Sequence, residues 1–378
     1  MRRTSSKWPE FPRSAIETGL ATWYVGALVS VALNRPRSAR VTGLALGGAI
    51  GLFLVYWIGF AAPSSVANNW QTFVKTTLDG LTAGGLYFIV ASGFTLIFGL
   101  MRVVNMAHGS IYLIGGYIAI NFQRSWITGG SDGALAPDQV SLFNWVAPAL
   151  AAALIVAVIS VVTQQLLLRW NQGQDLRQAL ITIALSYIAA DQVTGRFGGI
   201  SQQLAFPDLL NRFVNLRVGG IEYSVERLTI LGIAVVVGML LWIWLKRTRT
   251  GMVIRAGVDD RAMVSALGVN VQRTFAIAFF VGAFLAGLGG GIGASQNSAA
   301  PGVDGNWLLN SLVVVIIGGM GSLGGAAFGS ILYGLVGAFA PTYLPYEYSQ
   351  YSIIFTFILL ALALAFKPYG FFGGRASA

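Results

Sequence analysis

The sequence predicts an all-α protein, a polytopic membrane helical bundle with about 8–10 membrane segments, some of them broken or re-entrant. Hydrophobic residues make up 55% of the chain and charged residues only 10%, whereas soluble domains carry about 25% charged residues. Several uncharged runs are long enough for the roughly 20 residues that one helical span needs: Val41–Val74, Val140–Leu168, Gly305–Tyr346 and Tyr348–Phe366. Lipid offers the backbone no hydrogen bonds, so these runs are predicted to be helices.

Residues 1–65 are predicted to be an N-terminal extension with one or two extra membrane segments. Val41–Ala62 is long enough to span, but Thr18–Asn34 is only 17 residues long and has basic residues on both flanks. This first segment therefore either lies in the interface or spans with Met1 outside, and the sequence leaves both alternatives open. No removable signal peptide is expected, since Met1–Arg13 is polar and no apolar run with a cleavage site follows closely.

Residues 66–378 are predicted to form the main transmembrane domain. Its apolar segments, in order, are Leu81–Leu100, Ser110–Phe122, Val146–Leu168, Ala179–Asp191, Leu228–Leu245, Phe275–Ala294, Leu308–Ile317, Ala326–Leu344 and Ser352–Phe366. The loop Lys246–Arg273 holds six basic and two acidic residues, and such a basic excess is typical of cytoplasmic loops. Alternation of the segments then places the C-terminus in the cytoplasm.

Two interruptions of apolar runs predict a substrate path. Arg102–Gly109 and Gly318–Gly325 both place polar or glycine-rich residues between apolar arms, and broken helices in transporters expose backbone groups to a cavity. The residues predicted to line this path are Ser92, Thr95, Asn105, His108, Gly319 and Gly321. His108 has the alternative of a hydrogen bond with Asn105 that only shapes the break. A third glycine cluster, Gly287–Gly293, predicts close helix packing.

The charged loop predicts a docking surface for a soluble protein. The preference of basic residues for the cytoplasmic side of a membrane explains Lys246, Arg247 and Arg249. It does not explain the acidic pair Asp259 and Asp260 beyond them. Ala256–Leu267 is predicted to be a short amphipathic helix with Gly268 just after its end. A helix of this kind can lie in a groove of a partner, and the residues predicted to make this contact are Arg255, Asp259, Asp260, Arg261, Met263 and Gly268.

Several function classes are excluded by what the sequence lacks. It contains no cysteine and one histidine, so no metal site is predicted. No Gly-Lys-Ser/Thr occurs, so any ATP must bind another subunit. The net charge of +10 is expected of cytoplasmic loops and does not indicate nucleic acid. An intramembrane hydrolase would need a nucleophile and base, which no motif supplies.

Four motifs resemble those of the branched-chain amino-acid ABC importer permeases, specifically the half that carries an Asn-x-Ala-His-Gly block. The first motif is Gly80-Leu-Thr-Ala-Gly-Gly-Leu-Tyr87 together with Thr95-Leu-Ile-Phe-Gly-Leu-Met-Arg-Val-Val-Asn-Met-Ala-His-Gly109. The second, in the charged loop, is Arg255-Ala-Gly-Val-Asp-Asp-Arg-Ala-Met-Val-Ser-Ala-Leu-Gly-Val-Asn270. The third is the glycine-rich Ile316-Ile-Gly-Gly-Met-Gly-Ser-Leu-Gly-Gly-Ala326, and the fourth is the C-terminal Lys367-Pro-Tyr-Gly-Phe-Phe-Gly373. The resemblance covers about Trp70 to Gly374. Asp259 stands where the family usually has Glu, and Val264 where it usually has Ala.

The resemblance implies a permease subunit of an ATP-driven importer in the bacterial inner membrane. It implies a second permease subunit, two ATP-binding cassette ATPase subunits docked on the charged loop, and a periplasmic substrate-binding protein. The expected substrates are branched-chain amino acids or small neutral solutes such as urea and amides. The alternative is an ATP-independent channel or secondary transporter, which the docking-type loop and the lack of a central carboxylate disfavour.

Overall fold

A computed structural model describes residues 70–101, 105–129, 139–171, 174–215, 221–259 and 261–372, together with Leu135. Contacts divide the chain after Trp57, and every described residue lies in the second unit, Ile58–Ala378. The predicted N-terminal extension, like Arg102 and Asp260, lies outside the described residues, and the domain boundary near residue 65 stays a prediction.

The described part of the chain is all-α apart from one short hairpin, which confirms the predicted fold class. Its helices are α1 (Trp70–Met101), α2 (His108–Thr128), α3 (Leu142–Thr163), α4 (Asp175–Phe197), α5 (Val225–Arg247), α6 (Arg249–Asp259), α7 (Arg261–Ala266), α8 (Val271–Asn297), α9 (Val303–Gly318), α10 (Leu323–Tyr343) and α11 (Ser352–Phe366). The strands β1 (Phe213–Asn215) and β2 (Glu222–Ser224) pair antiparallel between α4 and α5.

Nine of the helices have 15 or more residues, and each coincides with one of the predicted segments. Six are long and apolar enough to cross a membrane on their own: α1, α3, α5, α8, α10 and α11 with its preceding turn. The other three, α2, α4 and α9, are less apolar or shorter. α2 is mostly buried between other helices, so its apolar surface contacts protein more than lipid.

Helices α1 and α8 form the centre of the bundle, and glycine allows their close packing. A Cβ on Gly93 of α1 would overlap the backbone of Gly282 in α8, and a Cβ on Gly290 would overlap the carbonyl of Tyr112 in α2. Gly287 and Gly291 lie against Ala153 and Ala149 of α3. The close packing predicted for Gly287–Gly293 is therefore confirmed.

Replacing Gly290 with alanine is expected to destabilise the permease fold by about 1–3 kcal/mol, because the methyl group must displace the α2 backbone. Gly232→Ala is the matched control, since Gly232 is also helical but has open space around its Cβ position, and alanine favours a helix by roughly 0.5–1 kcal/mol. Thermal unfolding in detergent measures both changes. An unchanged midpoint for Gly290→Ala would contradict the α2–α8 contact.

Two helices begin inside the bundle rather than at its surface. The first residue of α2, His108, hydrogen-bonds through Nε2 to the carbonyl of Val90, 3.0 Å away, and Val90 lies eleven residues before the end of α1. At 1.5 Å per residue, α2 therefore starts about 16 Å from that end of α1. The start of α9 lies at the same level, because a Cβ on Gly109 would overlap the carbonyl of Asp304.

The hairpin end of the bundle is held by a polar network. Asp79 of α1 forms an ion pair with Arg227 of α5 and accepts a 2.8 Å hydrogen bond from the Tyr223 hydroxyl. Burial raises the pKa of Tyr223 to about 12, so its phenol stays a neutral donor to the carboxylate at physiological pH. The network joins β2 and α5 to α1 at the end opposite the charged loop.

Candidate functional site

The first break, before α2, is shaped by Asn105. Its Oδ1 accepts from the Ala107 N–H at 3.1 Å, and its carbonyl accepts from the His108 N–H at 3.1 Å. The Met106 N–H donates to Thr182 Oγ1 of α4 at 3.2 Å. The side chain of Asn105 is 5% exposed, and its Nδ2 has no hydrogen-bond partner among the described residues.

The His108 side chain is fully buried and hydrogen-bonds to α1, whereas its contact with Asn105 is made by the backbone N–H. The bond from Nε2 to the Val90 carbonyl requires the proton on Nε2, and the ring meets Phe94 edge-on at 5.2 Å. Within the described part of the chain, Nδ1 has no partner. This contact holds the start of α2 against α1. It agrees with the alternative in which His108 only shapes the break.

A cleft of about 210 Å³ adjoins the first break. Drug-sized ligands occupy pockets of roughly 300–1,000 Å³, so this volume suits a small solute. Aliphatic side chains dominate the wall of the cleft, and a few residues add polar groups. The polar residues are Asn105, Ser110, Ser160, Thr163 and Thr182. The apolar residues are Ala107, Ile111, Ile114, Val156, Ile159, Leu168, Leu185, Ile188, Ala189 and Phe279.

Ser92 and Thr95 are buried in α1 beside these residues, but their hydroxyl protons are already used. Ser92 donates to the Ile89 carbonyl at 2.8 Å, and Thr95 donates to the Ala91 carbonyl at 2.8 Å. Neither side chain lines the cleft. Of the six residues predicted for the path, the structure places only Asn105 on the cleft wall.

Gly319 and Gly321 lie elsewhere, at the far end of α9, where two of the carbonyls before the break are paired, and their role in the path stays a prediction. The carbonyls of Ile317 and Gly318 accept hydrogen bonds from the N–H groups of Phe371 and Phe372, at 3.0 and 2.9 Å. The C-terminal segment thus closes the end of the helix. Gly319 and Gly321 have φ values of 106° and 82°, which glycine adopts without strain.

The charged loop is helical on both sides of Asp260, over Arg249–Asp259 and Arg261–Ala266, so the predicted start of its helix at Ala256 is wrong. α6 starts earlier, at Arg249, where Gly251 packs on the backbone of Leu245, and α7 follows after Asp260. Gly268 has a φ of 79°, which confirms the predicted left-handed residue after the helix. Together α6 and α7 are called the coupling segment.

The residues of the coupling segment divide into an inner and an outer face. Ile254 is 2% exposed, and Val258 lies against Gly99 of α1 and Gly321. Arg255 is exposed, as are Met263 and Leu267, at 63% and 77%. The side chains of Asp259 and Arg261 lie outside the described residues, as does the whole of Asp260. The helix positions alone place Asp259 at the end of α6 and Arg261 at the start of α7.

A further break in the chain, at residues 298–302 between α8 and α9, was not predicted from the sequence. It places Asp304 beside α2, where Ser110 Oγ donates to Asp304 Oδ2 at 3.1 Å. The expectation that no carboxylate lies centrally is therefore wrong. Pro301 and Gly302 lie just before α9, and Gly302 has a φ of 89°. The sequence did not reveal this break because a Pro-Gly pair followed by an acidic residue is also common in surface loops.

Comparison with known proteins gives the family. Residues 76–364 match the family described as branched-chain amino acid transport system, permease component. The chain belongs to this family.

Curated relatives of the permease extend over most of its length. It is 29% identical over 306 residues to the high-affinity branched-chain amino acid transport system permease protein BraD of Pseudomonas aeruginosa, covering 80% of this chain and 96% of BraD. It is 27% identical over 316 residues to LivH of Escherichia coli K12, covering 82% and 98%. A looser likeness joins it to PsaBC from Streptococcus pneumoniae in complex with Fab, with a TM-score of 0.41 and 12% identity over 79% of this chain and 92% of that one.

Family membership makes the chain a multi-pass permease component of an ABC branched-chain amino acid transport system, and not the ATPase. A permease of this kind works within a multi-component system. Among the residues that the structure describes, no group of three or more His, Asp or Glu side chains could hold a metal ion.

Proposed function

We propose that the permease imports branched-chain amino acids and takes its energy from ATP hydrolysed by subunits docked on the coupling segment. The names of BraD and LivH, which align with most of this chain, support the substrate class. The cleft supports it chemically, since a mostly aliphatic wall favours a branched aliphatic side chain and a few polar groups can fix the backbone atoms. Urea or a small amide would leave much of that wall in contact with water.

The observation that carries the coupling role is the contact of Val258 with Gly99 and Gly321. Gly99 ends α1, the helix whose Val90 carbonyl holds His108 at the start of α2. Gly321 lies between α9 and α10 and is bordered by the C-terminal segment. A displacement of α6 would therefore push on α1 and on the end of α9. These two elements hold the breaks in position.

The expected assembly contains a second permease subunit, two ATPase subunits at the coupling segment and a periplasmic binding protein at the hairpin end. The basic excess of the loop Lys246–Arg273 supports a cytoplasmic location for that end and for the C-terminus, in a bacterial inner membrane. ATP would bind the partner subunits alone. The bilayer would contact the exposed aliphatic faces of α3, α5 and α11.

An ATP-independent channel or secondary transporter remains the second candidate, and Asp304 is the observation in its favour. A carboxylate inside the membrane can serve ion or proton coupling. The exposed outer face of the coupling segment and the family match both favour the ATP-driven importer.

Cysteine crosslinking tests the docking surface, because the natural chain contains no cysteine. With Leu267→Cys, a bifunctional maleimide is expected to join the permease to the ATPase subunit in purified complexes. Leu209→Cys, which is 59% exposed on the loop before β1, is the matched control and should give no such product. A crosslink to the ATPase from Leu209→Cys but not from Leu267→Cys would mean that the ATPase docks at the hairpin end and not at the coupling segment.

A further inference from the structure

One acidic side chain lies deep in the bundle, in the first turn of α9. Asp304 is fourteen residues from Gly318 at the coupling end, which corresponds to about 21 Å along the helix. Its partner Ser110 is eighteen residues from the end of α2, about 27 Å in the other direction. A hydrocarbon core is about 30 Å thick, so Asp304 lies well inside it.

The first turn of α9 is too polar to face lipid. Asp304 is partly exposed, and Gly305 and Asn306 beside it are exposed, with open space at the Cβ position of Gly305. Polar side chains at this depth are costly in lipid and face a bundle interior or a water-filled cavity instead. The exposed side of this turn therefore borders the route of a polar solute.

The carboxylate also adjoins the cleft. Ser110 lines the cleft and donates its hydroxyl proton to Asp304 Oδ2, which leaves Oδ1 and the remaining lone pairs available. Asn105 lines the same cleft, and its buried Nδ2 lacks a partner within the described part of the chain. The Asp304 carboxylate therefore lies one hydrogen bond from the wall of the cleft, and Asn105 brings an unused donor to the same cleft.

We propose that Asp304 binds the ammonium group of the transported amino acid, with Asn105 Nδ2 as a donor to its carboxylate. The aliphatic side chain of the substrate would lie against Ile111 and Ile114. This assignment rests on the proposed function of amino-acid import and makes Asp304 a specificity-determining residue. It selects zwitterionic amino acids over urea and amides, which carry no ammonium group.

A purely structural role for Asp304 predicts different results. An acidic residue in a first turn stabilises its own helix, and the bond with Ser110 joins α9 to α2. Asp304→Asn keeps the size and an oxygen acceptor for Ser110 but removes the charge. Asp304→Gln and Asp304→Glu form a second pair, equal in size, that differs only in charge.

The test is ATP-driven leucine uptake into proteoliposomes that contain the whole transporter and its binding protein. Asp304→Asn is expected to lower uptake at least tenfold while the copurified ATPase stays constant. Asp304→Glu should transport and Asp304→Gln should not, a comparison that holds even if Asp304→Asn fails to assemble. Asp191→Asn, which neutralises an exposed acid of α4, is the control and should match wild type.

The outcomes separate this assignment from the proposed function. Equal uptake by Asp304→Gln and Asp304→Glu, or leucine uptake by Asp304→Asn within twofold of wild type, would overturn the ammonium site and leave amino-acid import standing. If the wild-type transporter carries urea or a sugar but no amino acid, the proposed function fails and the ammonium site falls with it.

Discussion

Reversing two charges of the coupling segment, with Asp259→Lys and Asp260→Lys together, is expected to abolish ATP-driven uptake. Asp259 is the last residue of α6, and Asp260 follows it in the sequence. Like-charge contacts across an interface cost several kcal/mol, and about 1.4 kcal/mol is a tenfold loss of affinity. ATPase recovery with the purified permease should therefore fall by more than a hundredfold.

The control for this double variant is Asp208→Lys, which reverses an exposed acid on the loop before β1. It should leave ATPase recovery unchanged. Unfolding midpoints of both variants show whether the permease itself stays folded. Unchanged transport and unchanged ATPase recovery in the double variant would refute docking at this segment.

Replacing Gly321 with leucine is expected to remove transport and to lower the yield of assembled complex. The φ of 82° at Gly321 costs a side chain roughly 1–2 kcal/mol, and its Cβ would stand 3.2 Å from Val258 Cγ1. Overpacking adds typically about 1–3 kcal/mol. The added bulk would push α6 away from α1 and disturb both folding and coupling.

Gly324→Leu is the matched control, because Gly324 is three residues away and has open space at its Cβ position. Uptake and complex yield should stay near wild type there. Equal, normal behaviour of Gly321→Leu and Gly324→Leu would mean that the segment is a flexible loop without a packing role.

The sequence was sufficient to predict the nine longer helices, because each contains an uncharged apolar run. It also indicated the first break at Asn105 and the glycine that ends α7, whose causes are local. The closure of α9 by Phe371 and Phe372 could not be predicted, because these are backbone bonds between segments more than fifty residues apart in the chain.

The position of Asp304 shows a second limit. Its residue type and its Pro-Gly neighbours are visible in the sequence, but its depth depends on the packing of Gly109 against the start of α9. Without that contact the acid is indistinguishable from one in a surface loop. The same applies to the start of α6 at Arg249, where Gly251 packs against the backbone of α5.

ATP hydrolysed by subunits docked on the coupling segment is expected to drive amino-acid import through this permease. The most direct measurement is leucine uptake by proteoliposomes containing the purified transporter and its binding protein, with ATP or a non-hydrolysable analogue enclosed. Uptake against a gradient with ATP, none with the analogue, and none with Asp259→Lys and Asp260→Lys is the predicted result. Equal uptake with ATP and with the analogue, or accumulation driven by an ion gradient alone, would contradict it.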